Sequence, residues 1–478
     1  MANKDSRTPA MSTALWKIAD KLKGIADIIE HITLVSIMGV AAGTVVYFLF
    51  FQWLSYQPYL DFRRYLPALL SVIGFMYAIY KAVPILEDFW GLKRSRINTS
   101  HPFCVYVAIF LWLVFINSIV IAFGYQIESG VAFHVMLENF FGRYGNDTPH
   151  YIAIAQRWYE NTLCDHRVNI VFFPFYSILI RVVYFFTPSY MFAAYVLSNF
   201  FALASGIMFY KLVVAITSSD EARLAVKFLY ILPSAFFFFV PLTESLFLFL
   251  SVAVMYYALK GKYLWVFVFG LMASLTRSVG VLLVVPVACE LISKLRQDVK
   301  PVEIETHHRI NGQIWRKFLC LLAFPLGIGI YLLINHMVYG SATQFMVIQR
   351  EHWFQSMYYF WNTITYLTNQ ISTASTSWVI GISIPGVIAF WLSLTLIIYG
   401  ATKIRVSLTL YAMAYFVFAF GPTWLMSGPR YVAVLFPIAL AAAKIASIKK
   451  SYNLMLTIAY ISMFILYFHE FVRDNFVF

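Results

Sequence analysis

Residues 169–186 read NIVFFPFYSILIRVVYFF, a run apolar enough to be taken for a membrane crossing. Whether it crosses decides the topology on both sides of it. Short basic loops between apolar runs mark the cytoplasmic side of a membrane protein. Here those loops are GLKRSR (91–96), KGK (260–262), the 294–317 loop with Lys294, Arg296, Lys300, Arg309, Arg316 and Lys317, TKIR (402–405), and Lys449–Lys450. They share one side only if 169–186 is not a full span. Pro174 removes a backbone donor and Arg181 is costly in lipid, so a re-entrant or surface-lying helix fits this stretch.

Working outward, apolar runs occur at roughly 32–53, 65–84, 103–124, 190–214, 225–240, 244–259, 263–276, 279–293, 318–337, 379–399, 407–422, 431–448 and 452–469. The chain has 478 residues, 61% hydrophobic and 12% charged, against about a quarter charged in a soluble domain. The fold class is therefore an all-α polytopic membrane protein; strand-type alternation, the mark of a membrane β-barrel, is absent. The net charge of +13 is absorbed by the loops, and no basic surface interleaved with aromatics asks for nucleic acid. The organisation expected is a cytoplasmic segment 1–31, two additional N-terminal spans over 32–102, a core over 103–337 with an external loop 125–188, an external loop 338–378, and C-terminal spans over 379–478. A third external region is expected at 423–430.

The cysteines, Cys104, Cys164, Cys289 and Cys320, form neither a disulfide framework nor a metal-type spacing. The basic N-terminus lacks the compact apolar core of a cleavable signal peptide, and Leu15 to Ile29 can form an amphipathic surface helix. His307–His308 reads as part of a solvated loop.

The chemistry is sought in the polar stretches on the external side. In GRYGNDTPHYIAIAQRWYEN (142–161), Asn146 or Asp147 suits an N-cap and Pro149 a first helical turn. Tyr151, Ile154, Ala155 and Trp158 then recur at helical spacing, giving an amphipathic interfacial helix. A carboxylate there can instead take a proton from an acceptor hydroxyl while that oxygen attacks a lipid-borne carbon. Glu244 in FVPLTESLFLF opens a helix, with Thr243 as its cap. Arg277 in ASLTRSVGVLLVVP is a cation at membrane depth, suited to a lipid phosphate, a salt bridge or snorkelling to headgroups. Arg430 in MSGPRYVAVLFP begins a span from the outside and suits phosphate through paired hydrogen bonds or a headgroup contact. MVYGSATQFMVIQREHW adds Gln349, Arg350, His352 and Trp353. No GxSxG, HExxH, Walker A or GxGxxG unit competes for the chemistry.

In their order and spacing, GND-TPHYIAIA, FFPFYSILIR, PLTESLFLFL, LTRSVGVLLVVP, YGSATQFMVIQREHW and GPRYVAVLFP resemble the PIG-V-like family. That family includes the GPI-anchor mannosyltransferase adding the second mannose and its bacterial relatives, within the GT-C superfamily of integral-membrane glycosyltransferases. The resemblance covers roughly 103–448. It implies a GT-C-like fold, here with about 13 transmembrane helices in all and a helical first external loop, its seven-span core being 103–124 followed by six spans from 190 to 337. It further implies inverting transfer of a hexose, usually mannose, from a polyprenyl-phosphate sugar to a glycan or glycolipid acceptor on the non-cytoplasmic face. Asp147 matches the family's catalytic acid, with Tyr151, Ile154 and Ala155 at the family spacing and Asn146 where tryptophan is usual. Arg430 and Arg277 are implied as donor-phosphate ligands, and Tyr151, Glu244, Gln349, His352, Trp353 and Tyr431 as substrate-binding residues. No metal, cofactor or nucleic-acid partner is expected. A monomer in a bacterial plasma membrane, in contact with membrane lipids, completes the expectation.

Two other classes compete. A lipid flippase or transporter would need ionisable groups near the bilayer midplane and often paired repeats; here such groups crowd the outer ends of the spans and no repeat is visible. The second is a non-catalytic subunit that uses the fold to bind lipid; the presence of Asp147 argues against it.

Overall fold

The computed structural model describes residues 102–127, 130–142, 147–160, 165–298, 317–422, 426–472 and 477. The expectations for 1–31, for the spans at 32–53 and 65–84, for the 91–96 loop, and for Asn146, Cys164 and His307–His308 lie outside these residues. Among the described residues the regular structure is helical, with one isolated bridge between Met357 and Pro422. Six helices among the described residues are long and apolar enough to cross a membrane: Pro102–Tyr125, Tyr190–Ile216, Ser278–Arg296, Leu319–Tyr339, Thr376–Gly400 and Lys450–Val472. Shorter apolar helices accompany them. The chain is a multi-pass membrane protein.

Helix α1 (Pro102–Ile127) exposes Phe103, Phe110, Leu111, Val114 and Phe115, side chains that lipid solvates as well as a protein core does. After it come α2 (Phe133–Phe141) and α3 (Thr148–Arg157), then a 3-10 segment at Asp165–Val171 and α4 (Pro174–Tyr184). Helix α4 has 11 residues and is therefore about 16 Å long, half the roughly 30 Å of a hydrocarbon core. Residues 169–186 thus lack a helix long enough to span. Helix α5 (Tyr190–Ile216) starts at Ser189, whose hydroxyl accepts from Phe192 N. It is tied to α1 through polar side chains: Tyr195 Oη donates to Asn117 Oδ1 at 2.5 Å, and Asn117 Nδ2 to Asn199 Oδ1 at 2.7 Å. Without water in the surroundings, such bonds hold helices that apolar contact alone would not align.

The span expected at 225–240 is not a helix across the membrane. Helix α6 (Ser219–Tyr230) is amphipathic and stops, and residues 231–243 run as turns around a short 3-10 segment, Ala235–Phe238. Pro233 and Pro241 bracket this stretch, and each lacks the N–H that would continue a helix. Irregular backbone is tolerated at membrane depth only where protein encloses it, and Ile231, Leu232, Phe236, Phe237, Phe238 and Phe239 are all buried.

Helices α7 (Glu244–Leu259) and α8 (Tyr263–Thr276) follow, then the 3-10 turn Ser278–Leu283, α9 (Val284–Asp298) and α10 (Ala323–Tyr339). Helix α7 packs on α5, and α8 packs on both α7 and α10. At the α8–α10 contact a Cβ on Gly327 would lie 2.6 Å from Ser274 Cβ, so the helices approach as closely as they do because this residue has no side chain. Helices α11 (Gln344–Glu351), α12 (Phe360–Thr373), α13 (Thr376–Gly400) and α14 (Val406–Ala419) lead to the second departure from expectation. The run 431–448 is broken: α15 (Gly428–Ala433) ends, the chain turns, and Pro437 opens α16 (Pro437–Ala446) at a position where its missing N–H costs nothing. Helix α17 (Lys450–Val472) is the last of the described helices.

Candidate active site

Four charged side chains from four separate elements meet. Glu244, at the start of α7, is fully buried, and its Oε1 accepts from Arg277 Nη1 and from Arg430 Nε, each at 2.5 Å. Arg430, on the short helix α15, also donates through Nη1 to Asp147 Oδ2. Arg277 connects the end of α8 to the following 3-10 turn, and its Nη1 also reaches Thr243 Oγ1 at 3.3 Å. The order of contact is therefore Asp147, Arg430, Glu244, Arg277. Glu244 is the innermost of the four and Asp147 the most open: the side chains are 24% exposed at Asp147, 5% at Arg430, 0% at Glu244 and 12% at Arg277.

Local sequence explains each placement. Residues 231–243 leave helical geometry at the prolines, which sets Thr243 and Glu244 at the very start of α7 within protein. Gly280 allows the tight turn after Arg277: a Cβ there would fall within 2.7 Å of the Ala273 carbonyl and Ser274 N. Pro429 starts α15 at its first turn, and the guanidinium of Arg430 lies over Phe237, 6.0 Å from the ring centroid. The ring of Tyr431 lies 5.0 Å from the Arg277 guanidinium, a cation–π contact strengthened where water is scarce. Thr148 Oγ1 donates to the Pro241 carbonyl at 3.1 Å and pins the start of α3 to the irregular stretch.

Asp147 occupies the N-cap position of α3 but makes no side-chain capping bond. Its carboxylate is committed to Arg430 through Oδ2, while Oδ1 accepts no hydrogen bond among the described residues. The capping reading of Asp147 gives way for this reason, and that of Thr243 does so too, since its hydroxyl serves Arg277 instead of a helix N–H. Glu244 Oε2 is buried without a partner among the described residues, unusual for a native carboxylate.

Tyr151 is buried beside the four charges, its ring 5.1 Å from Phe172 and 5.4 Å from Tyr176. Burial, and then the Asp147 carboxylate, push its phenol well above the usual range, so it remains a protonated donor. The apolar face of α3 points into the protein and not to headgroups: Ile154 and Ala155 are buried, and Ser177 donates to the Tyr151 carbonyl at 2.8 Å. The helix ends at Arg157, and Trp158 takes a left-handed φ of 64°.

The structure brings together Asp147, Tyr151, Glu244, Arg277, Arg430 and Tyr431. It sets the other three candidates apart. Trp353 lies at the edge of the site, its ring 5.9 Å from both Phe172 and His150. Gln349 donates to Gln355 Oε1 at 2.6 Å, and His352 is exposed; neither touches the charged chain. Sequence reasoning missed Thr148, Phe172, Phe237 and Thr243 as supports; the FVPLT segment beside Glu244 was the available signal for the last.

Among the described residues no group of three or more His, Cys, Asp or Glu side chains is gathered as metal ligands would be. Cys104, Cys289 and Cys320 are free thiols.

Neither family models nor curated proteins match the chain. Among solved structures it is similar to the Archaeoglobus fulgidus oligosaccharyltransferase tethered with an acceptor peptide, at 10% identity and a TM-score of 0.36. The similarity covers 76% of this chain and 55% of that one, so the chain spans about half the length of the oligosaccharyltransferase it matches.

Proposed function

We propose that the chain is a GT-C-like membrane glycosyltransferase. It moves a hexose, with mannose as the first sugar to test, from a polyprenyl-phosphate donor to a glycan or glycolipid on the non-cytoplasmic face. The observation that carries this reading is the contact of one partly exposed carboxylate, Asp147, with a guanidinium that is itself oriented by a buried acid. The order of sequence blocks resembling the PIG-V-like family supports it.

In this reading Asp147 Oδ1 takes the proton of an acceptor hydroxyl. The new bond forms between that oxygen and the anomeric carbon. The bond from the anomeric carbon to the donor's phosphate oxygen breaks, its electron pair stays on the phosphate, and configuration inverts. The four charged groups are formally neutral as a set. During reaction negative charge leaves Asp147 and appears on the departing phosphate. Arg430 touches Asp147, so its hold on the carboxylate weakens as its pull on phosphate becomes useful; Arg277 adds a second cation. Such fixed donors contribute most where water is excluded and no reorganisation is needed. Glu244 acts through the arginines, as a positioning residue.

The test uses purified protein in lipid nanodiscs with polyprenyl-phosphate mannose and acceptors extracted from membranes. Release of polyprenyl phosphate with sugar appearing on acceptor is expected. Asp147→Asn, which keeps the shape but not the base, lowers that rate by about 10²–10⁴-fold while the protein stays folded and still binds donor. Donor crossing the bilayer with no sugar transferred would replace this reading with a flippase.

A further inference from the structure

Beside α3, whose N-terminal end carries Asp147, a cleft of about 770 Å³ lies between α2, α3 and the turn joining α4 to α5. Its volume is in the range of small-molecule sites. His150 and Asn169 line its inner wall and Gln156, Arg157, Tyr184 and Tyr190 are among its outer residues. His150 follows Asp147 by one helical step, so the two share an edge of α3 about one turn apart, ~5 Å along the axis. The backbone confirms the proximity: His150 N donates to the Asp147 carbonyl at 3.1 Å.

The chemistry of the inner wall is specific. His150 Nδ1 lies 2.8 Å from Asn169 Oδ1. An amide oxygen only accepts, so Nδ1 carries the proton and Nε2 is left as an acceptor. The ring is fixed by stacking on Phe172 at 4.7 Å and 14°. Asn169 is 5% exposed, yet its amide Nδ2 makes no hydrogen bond among the described residues. The wall therefore presents one fixed acceptor beside one fixed donor. Neighbouring hydroxyls of a sugar ring, each able to donate and accept, match such a pair. At the rim, Tyr184 and Tyr190 stack at 3.8 Å and 10°, leaving an aromatic surface on which the C–H face of a further ring can lie. Glu138 and Arg157 offset each other in charge, which favours a neutral ligand over a phosphate.

We propose that this cleft is the acceptor-carbohydrate subsite, with His150 Nε2 and Asn169 Nδ2 holding adjacent ring hydroxyls and the Tyr184–Tyr190 pair receiving the next ring. The assignment of the carbohydrate as acceptor rests on the glycosyltransferase reading; carbohydrate binding itself does not. A sugar seated here projects toward Asp147 along the shared edge of α3.

The full chain in nanodiscs free of glycoside detergent is titrated with mannotriose, read by saturation-transfer NMR from protein to sugar. Binding is expected, weakened about tenfold by His150→Phe, which keeps the ring stack, and by Asn169→Leu, for loss of one hydrogen bond each. Gln156→Ala, at the exposed outer wall where folding is not at stake, weakens it less. No sugar signal from folded protein, unchanged affinity in these variants, or displacement of the sugar by inorganic phosphate overturns the proposal. In the transfer assay the same variants raise the acceptor KM and leave polyprenyl-phosphate binding unchanged. Sugar binding without transfer would sink the enzyme and keep the subsite; transfer with an unaltered acceptor KM would do the reverse.

Discussion

Two buried carboxylates, Glu244 at the start of α7 and Glu290 on α9, have opposite characters. Glu290 lies on α9, roughly 20 Å beyond Arg277 along the chain axis. Both of its oxygens are used: Arg405 Nε and Nη2 bind Oε1 and Oε2 at 3.0 and 2.8 Å, and Ser407 Oγ donates to Oε1 at 2.5 Å. This is a closed bidentate pair that locks α14 to α9. Glu244 has two guanidiniums on one oxygen and, among the described residues, nothing on the other. The first arrangement is saturated and needs no ligand. The second is unevenly satisfied, and its arginines have donors left over: Arg277 Nε and Nη2 and Arg430 Nη2 bond no described residue. Incomplete satisfaction inside a protein is costly, and it is tolerated most readily where a substrate completes the set.

Substituting each acid by its amide tests that contrast, with the largest effect at Glu244. Glu244→Gln removes the anion that orients both arginines; loss of one partner of a buried charge set costs about 3–5 kcal/mol of stability and lowers transfer by about 10²-fold or more. Glu290→Gln costs less, about 1–2 kcal/mol, because Arg405 is 44% exposed and water screens it, and the transfer rate of the folded fraction stays at the wild-type level. Denaturant unfolding paired with rates per folded molecule separates the two. Equal losses of rate at both positions would erase the distinction.

What could be read from the sequence was the chemical type of each residue and its place along the chain. Asp147, Glu244, Arg277 and Arg430 stand out there because charge is scarce amid apolar runs. Their connections are not visible. Arg430 meets Asp147 across 283 residues and Glu244 across 186, so local pattern left Asp147 between a cap and a base, and Arg430 between a phosphate ligand and a headgroup contact, without showing that the two touch. The run 225–240 misled for a related reason: hydropathy counts apolar residues without asking whether Pro233 and Pro241 let them form one helix. By contrast Pro174 and the distribution of basic loops did indicate that 169–186 falls short of a crossing. His150 and Asn169 carried no signal, because a donor–acceptor pair made by a helix and a 3-10 turn exists only after folding.

The two arginines sharpen the comparison at the next scale. Lysine supplies charge at a single point and cannot reach two carboxylates in the fork that guanidinium provides. Arg430 holds Asp147 and Glu244 together, whereas Arg277 holds Glu244 and Thr243. Arg430→Lys is therefore expected to lower transfer by about 10²-fold, and Arg277→Lys by about tenfold. Parallel kinetics at saturating acceptor give the ratio, and a larger loss at Arg277 would move the catalytic weight away from Asp147.

The smallest effect belongs to Thr243, and its direction is informative. Threonine in an N-cap position ordinarily bonds a helix N–H, and its loss then weakens the helix. Here the hydroxyl has no such bond and accepts from Arg277 Nη1 at 3.3 Å, a long contact. Thr243→Val keeps the branched shape and removes only the oxygen. Stability is expected to change by about 1 kcal/mol or less, while transfer falls by roughly threefold to tenfold as Arg277 loses one of the two groups that fix its Nη1. A capping role would give the inverse outcome, a melting temperature lowered and a rate per folded molecule untouched. The hydroxyl at the head of α7 thus reports whether that helix start is built for the helix or for the guanidinium above it.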